Sequence, residues 1–344
     1  MTSTAHSSPP RTEEELEDAL SHPSPSLSAA LDRAPGDIVV LGAGGKMGPS
    51  LARMARRADS ARRVIAVSRW SDPSAVSALE RAGVEIARAD LLDPGALDAL
   101  PDAPNVVFMA GQKFGTAGDP SFTWAMNAAV PAFVAERYAG ARTVVFSTGN
   151  VYALTAATSR GAREDDLLAP VGEYAWSCLA RERIFTAAAH RHHTPTAIVR
   201  LNYAHDLRYG VLTDLASRMM RDEPIDLAMG FVNVIWQGDA NALALAALAR
   251  AAAPQPFVVN VAGPDVLRVA DLARELARRL GRAERLTGRE AEDALLSDST
   301  RMRTVLDDAL MPLDTLLDWV ADWVSRGGRL LGKPTKFERR DGKF

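Results

Sequence analysis

The stretch Asp37-Ile38-Val39-Val40-Leu41-Gly42-Ala43-Gly44-Gly45-Lys46-Met47-Gly48 constrains the fold more than any other part of the chain. Its four apolar residues, two of them valines, predict a short buried parallel strand. Glycines at 42, 45 and 48 then make a turn with bare backbone, and Pro49 to Arg56 takes up helical spacing. Strand, glycine turn and helix in that order open a dinucleotide-binding unit, with backbone amides and a helix N-terminus facing a pyrophosphate. Lys46 and Met47 lie inside the loop and join the candidate binding residues. Gly42-Ala43-Gly44 also satisfies the start of G-x-G-x-x-G, so two glycine spacings stay open.

The rest of the chain repeats the strand–helix alternation. Strands are predicted at 63–67, 83–89, 105–111, 142–146 and 196–200, with helices at 120–139 and 173–190 between them. This gives an α/β fold with a doubly wound parallel sheet of the Rossmann type over 36–203. Residues 204–326 alternate differently: helices at 211–220, 239–251, 269–280 and 313–325, strands at 231–236 and 257–261. They are expected to form a smaller α/β substrate lobe, interleaved with the first. Residues 1–35 read as a partly disordered leader with short helices begun by Thr12 and Ser26, used for packing or a dimer edge. Residues 327–344 read as an irregular basic tail.

The second strand ends at Ser68-Arg69, where a dinucleotide site without a 2′-phosphate usually places an acid. A small hydroxyl followed by a guanidinium, with Lys46 nearby, suits a 2′-phosphate. NADP is therefore the expected cofactor, with NAD open. Asp90-Leu91 closes the third strand, its carboxylate placed either to accept from the adenine amino group or to cap the next helix. Ala110-Gly111 lets the backbone pass close to the cofactor, and Lys113 follows in the loop.

Composition limits the rest. A chain of 344 residues with net charge −3 and a pI of about 6.1 gives no pull towards nucleic acid or an anionic membrane. No apolar run reaches the ~18 residues of a membrane span, and no secretory signal is read at the N-terminus. The single cysteine, Cys178, excludes an intrachain disulfide. A cytoplasmic protein with a small-molecule substrate is expected.

From Ile38 to about Val324 the chain resembles the extended short-chain dehydrogenase/reductases, in their NAD-dependent epimerase/dehydratase branch. The glycine loop, Asp90-Leu91, Ser147-Thr148 before Val151-Tyr152, and Tyr174 carry the likeness. Arg200-Leu201-Asn202-Tyr203 and Asn260-Val261-Ala262-Gly263-Pro264 extend it. The resemblance implies that Thr148 hydrogen-bonds the reacting oxygen and that Tyr174 is the general acid/base. It also implies a homodimer through the helices at 120–139 and 173–190, and the apolar residues on more than one face of the first support that.

The family pattern Tyr-x-x-x-Lys is broken, since Tyr174-Ala175-Trp176-Ser177-Cys178 puts a thiol where the lysine belongs. An unassisted tyrosine titrates near ~10, so losing the lysine costs about 4 kcal/mol of driving force for proton abstraction. Alcohol oxidation and epimerisation need tyrosinate first; carbonyl reduction needs the protonated tyrosine, which remains. Three readings of Cys178 stand: a buried residue in a site that has lost catalysis, a site rebuilt with Lys113 or Arg181 as cation, or a reactive thiol. Sugar 4,6-dehydratases follow their Ser-Thr with Asp-Glu; Gly149-Asn150 here removes that route. Asn202, Asp206, Arg208 and Trp236 are candidate substrate contacts. An ion pair for Asp206 with Arg208 and a core place for Trp236 are the alternatives. Arg191-His192-His193 has no companion ligands and predicts no metal site.

Overall fold

A computed structural model describes residues 8–113, 115–116, 118–333 and 335–343. Part of the expected disorder at Met1 to Pro10 falls on residues 1–7, outside this set. Seven strands form the main sheet: β1 (Ile38–Leu41), β2 (Val64–Ser68), β3 (Glu85–Arg88), β4 (Asn105–Phe108), β5 (Arg142–Thr148), β6 (Thr196–Leu201) and β7 (Phe257–Val261). They run parallel in the order β7-β6-β5-β4-β1-β2-β3. The order reverses between β1 and β4, and there a crevice opens at the carboxyl ends of the strands.

Helices in chain order are α1 (Glu13–Leu20), α2 (Pro25–Asp32), α3 (Gly48–Ala58), α4 (Pro73–Arg81), α5 (Pro94–Asp98), α6 (Pro120–Trp124) and α7 (Val130–Arg137). After them come α8 (Gly172–His192), α9 (Val211–Met220), α10 (Gln237–Ala246), α11 (Val269–Leu280) and α12 (Leu313–Ser325). Alternate strand residues supply the two faces of the sheet. Ile38, Val40, Val107 and Val144 pack with α2, α3 and α10; Val39, Leu41, Val106 and Val145 pack with α7 and α8. No helix of the described residues is long and apolar enough to cross a membrane.

The last strand of the sheet, β7, comes from residues 257–261 in the later part of the chain and pairs with β6. A second core joins α1, α9, α11 and α12, and in it Trp236 meets Trp319 edge-on at 5.8 Å between ring centres. Leu16 and Leu20 of α1 and Phe337 of the tail are buried there too. Leader and tail are thus structural parts of the protein.

Two elements differ from the sequence reading. The helix expected at 120–139 is interrupted before Pro131 by a π-helical turn, Ala125–Ala129, in which Val130 N–H reaches the Ala125 carbonyl. That turn carries Asn127, fully buried. The strand expected at 231–236 splits into two short pairings, Phe231–Val232 and Ile235–Trp236. Between them the buried Asn233 amide donates to the carbonyls of Gly263 (3.3 Å) and Ser297 (2.7 Å), bending the chain away from one ladder.

Beneath the crevice lies a buried polar network. Arg200 on β6 pairs with Glu182 on α8 at 2.8 Å, and both side chains are at most 5% exposed. Glu182 also accepts from the Ser147 hydroxyl on β5. Arg200 donates to the Tyr152 hydroxyl (2.7 Å) and the Glu164 carbonyl (2.9 Å), and the Tyr152 hydroxyl donates to Asn260 of β7 at 2.8 Å. Removing one partner leaves the other charge buried and unmatched. Glu182→Ala is therefore expected to destabilise the fold by about 3–5 kcal/mol, measured as a lowered urea midpoint; a change within experimental error would show that the pair is not structural.

Candidate functional site

The crevice is a cleft of about 1170 Å³. Gly42 opens it with φ +87°, and a Cβ there would lie 2.5 Å from the Ala110 backbone nitrogen, so β1 and β4 can diverge only over a glycine. Gly48 is pressed against the Ala43 backbone and has no room for a side chain. Gly44 and Gly45, by contrast, are exposed and line the cleft. The loop runs into α3, whose N-terminus has no side-chain cap. Open glycine backbone and uncapped helix amides fit the pyrophosphate of a dinucleotide.

Lys46 also lines the cleft, with its ammonium 3.4 Å above the Tyr209 ring centre. Water still reaches the side chain, but protein surrounds the ammonium. Its pKa is lowered to about 7, first by desolvation and then by the charge of Lys113, against the pull of Asp206 and Asp214. Lys113 enters from the loop after β4 and stands 5.8 Å from the Tyr174 ring centre. Desolvation lowers its pKa to about 8, and Lys336 adds to the effect.

Thr148 ends β5, and Tyr174 stands in the first turn of α8. Both line the cleft, and the two hydroxyls face each other. The Thr148 oxygen accepts from Asn150 N–H (3.2 Å) and from the Asn150 amide (2.9 Å), leaving its own hydrogen to donate. Burial pushes the Tyr174 pKa upward and the Cys178 thiol adds to this; Arg181 and Thr148 oppose it. Cys178 is fully buried off the cleft, and desolvation raises its pKa. A buried thiol held protonated is no nucleophile. Arg181 is a buried clamp: its guanidinium donates to the Phe146 carbonyl (2.8 Å) and to Asn127 Oδ1 (2.7 Å). Asn127 in turn binds both backbone groups of Gln112, fixing the loop that carries Lys113.

The structure brings Gly45, Lys46, Met47, Ser68, Gly111, Lys113, Thr148, Tyr174, Asn202 and Arg208 to the cleft wall. Gly42, Gly48 and Ala110 lie just behind it and shape it. Other candidates are placed elsewhere. Arg69 is exposed and off the cleft wall, although Ser68 and Trp70 on either side line it. Asp90 accepts from Leu92 N–H at 3.1 Å in an exposed turn, Leu91 is buried, and Asp93 caps α5 instead. Asp206 is wholly buried and bound to Arg208, which also meets Glu17 at 2.7 Å. Trp236 sits in the second core, and Asn202 is a buried bracket to Asn233 and the Leu295 carbonyl.

Sequence reading missed three contributions. Glu13, Glu14 and Glu17 of α1 form part of the cleft rim, and Lys333, Thr335 and Lys336 of the tail form part of its wall. Asn127 was legible only as a lone amide in an apolar helix.

Comparison with known proteins agrees with this geometry. The profile of the NAD dependent epimerase/dehydratase family matches residues 38–228. No curated protein matches the chain. Among solved structures, UDP-glucuronic acid 4-epimerase from Bacillus cereus, in complex with UDP-glucuronic acid and NAD, is 18% identical with a TM-score of 0.69; the match covers 84% of this chain and 99% of that one. The dTDP-glucose 4,6-dehydratase from Bacillus anthracis, in complex with NAD, is 14% identical with a TM-score of 0.72, covering 85% and 97%. MoeE5 in complex with UDP-glucose and NAD is 21% identical with a TM-score of 0.67, covering 85% and 99%. Likeness at such identities speaks for the fold, and the profile speaks for the sequence. The chain belongs to the NAD dependent epimerase/dehydratase family.

Proposed function

We propose that the chain is a nicotinamide-dinucleotide enzyme that reduces the carbonyl of a polar substrate, residues 36–203 holding the dinucleotide and residues 204–326 the substrate. The observation that carries this reading is the meeting of Thr148, Tyr174 and Lys113 on the cleft that also holds the open glycine loop. A bound dinucleotide would supply the hydride. Tyr174, kept protonated by burial, gives its proton to the carbonyl oxygen as charge builds there. Thr148 donates to the same oxygen, and the nearby Lys113 charge favours the tyrosinate left behind. The reverse reaction, and any epimerisation that begins with it, must start from tyrosinate, which burial disfavours. The UDP-sugar complexes of the relatives support a nucleotide-linked substrate.

A second reading, a dinucleotide-binding sensor without turnover, is favoured by Cys178 at the lysine's position. The absorbance of the reduced cofactor, followed over a panel of carbonyl and sugar-nucleotide compounds, separates the two. Turnover is expected, lowered about 100-fold or more in Tyr174→Phe and Lys113→Ala and little changed in Cys178→Ala. Binding of cofactor with no turnover on any compound would establish the sensor.

The 2′-phosphorylated cofactor is the preferred form in this reading. Arg69 has no ion-pair partner among the described residues and stands between two residues of the cleft wall; the relatives named above hold NAD. Calorimetry should show NADP(H) binding more tightly than NAD(H), with Arg69→Ala erasing most of the difference. Equal affinities in the unmodified protein would count against it. Both affinities should fall as pH rises above about 7, because the free protein loses the Lys46 proton there and must regain it to bind phosphate.

The face formed by α6, α7 and α8 supports a homodimer. Trp124, Phe133 and Trp176 stand 38%, 37% and 52% exposed on these helices. Light scattering at micromolar concentration is expected to give twice the 36.9 kDa of the chain; a monomer would refute the dimer.

A further inference from the structure

The chain has only five lysines among its 40 basic residues, and four of them, Lys46, Lys113, Lys333 and Lys336, line the same cleft. Arginines make the surface ion pairs, such as Arg63 with Glu85, Arg221 with Glu223 and Arg268 with Glu290. Among the described residues, Lys46, Lys333 and Lys336 have no carboxylate at ion-pair distance. Nine cationic side chains line the cleft against four carboxylates, in a chain whose net charge is −3. Three of the nine are already paired, Arg53 with Asp18, Arg208 with Asp206 and Glu17, and Arg329 with Glu13, which leaves six cations facing Glu14 and Asp72. The lysines repel one another: Lys113 and Lys333 act on Lys46, and Lys336 acts on Lys113. Like charges gathered in a cleft call for an anion between them.

The two C-terminal lysines are held there by anchors on either side. Leu331 N–H donates to the Arg208 carbonyl at 3.0 Å. Thr335 N–H donates to Asp214 at 2.8 Å, Phe337 is buried in the second core, and Arg340 pairs with Asp293 and donates to its carbonyl at 2.9 Å. Lys336 itself has φ +53°, a left-handed backbone that favours glycine, yet a lysine occupies it. Strain held between two anchors is a mark of a placed side chain.

We propose that residues 327–333 and 335–343 form a strap that builds a phosphoryl-binding subsite in the cleft, with Lys333 and Lys336 contacting a phosphate group of the substrate. The subsite rests on the nucleotide-linked substrate reading above and deepens it by assigning the phosphate end of that substrate to Lys333 and Lys336. Lys336 acts on Lys113, and Lys113 lies against Tyr174, so the phosphate end of such a substrate would bind near the proton donor. No covalent step is assigned to the strap.

The test titrates inorganic pyrophosphate into the full chain, with and without saturating dinucleotide, by calorimetry. The dinucleotide-loaded protein is expected to bind pyrophosphate still. The double substitution Lys333→Gln/Lys336→Gln should weaken that binding at least about tenfold, the loss expected for one or more charge-assisted hydrogen bonds. Lys333→Arg/Lys336→Arg should retain it, which guards against a mere folding defect. Affinity for NADP and for NAD should change far less than affinity for pyrophosphate in the double glutamine variant. Three results would overturn the proposal: pyrophosphate failing to bind the loaded protein, the variant losing NADP affinity in step with pyrophosphate, or pyrophosphate binding unaffected by the double glutamine substitution. If no dinucleotide binds at all, the function proposed above fails; the effect of the lysine substitutions on pyrophosphate in the ligand-free protein then decides the subsite separately.

Discussion

The ion pair between Glu182 and Arg200 is the interaction on which the rest of the site depends. It joins the long helix α8 to β6, and through Ser147, Tyr152 and Asn260 it reaches β5, the turn after it and β7. Thr148 and Tyr174 come from segments far apart in sequence, and this network fixes one against the other. A pair buried this deeply adds little net stability over a well-packed apolar alternative. What it supplies is register: a carboxylate and a guanidinium that satisfy each other and the hydroxyls of Ser147 and Tyr152 hold α8 in one position along the sheet. The single strand that returns from the later part of the chain, β7, is drawn into the same network by Asn260.

Cys178, four residues after Tyr174, puts a small buried thiol beside the tyrosine and no charge. The thiol is small, buried and held protonated, so it contributes no charge. Arg181, one turn further along α8, is committed to Phe146 and Asn127 and supports the loop after β4 from below. That loop in turn delivers Lys113 to the Tyr174 ring. No lysine lies on α8; the cleft lysines stand on the glycine loop, the loop after β4 and the C-terminal segment. Lysine suits these places better than arginine, since a compact ammonium on a flexible stem can lose its proton when desolvated and regain it when an anion arrives. A guanidinium would stay charged and would have to be paired permanently, as Arg208 and Arg329 are with the acids of α1.

The strands and the glycine loop were legible from sequence because their signals are local. A run such as Ile38 to Leu41 is apolar on both faces, and Gly42 and Gly48 are required by close backbone approach whatever the rest of the chain does. Thr148 and Tyr174 were legible through resemblance, and the cleft brings them together. Asp90 and Trp236 read poorly for the opposite reason. Each sits at a sequence position where a contact is common, but its side-chain direction is set by packing: Trp236 turns into Trp319, and Asp90 turns onto its own backbone.

By itself the sequence determined the α/β class, the doubly wound order around β1, the family and the absence of a lysine after Tyr174. Continuous apolar runs, glycine spacing and residue identity depend only on neighbours along the chain. Tertiary structure decided which cations meet at the cleft. Lys46, Lys113, Lys333 and Lys336 are spread over 291 positions, and no local pattern links them. Lys333 and Lys336 join Lys46 and Lys113 there because the C-terminal segment packs into the second core beside α1 and lines the crevice, which follows from burying Leu16, Leu20 and Phe337 together and not from any motif near the lysines.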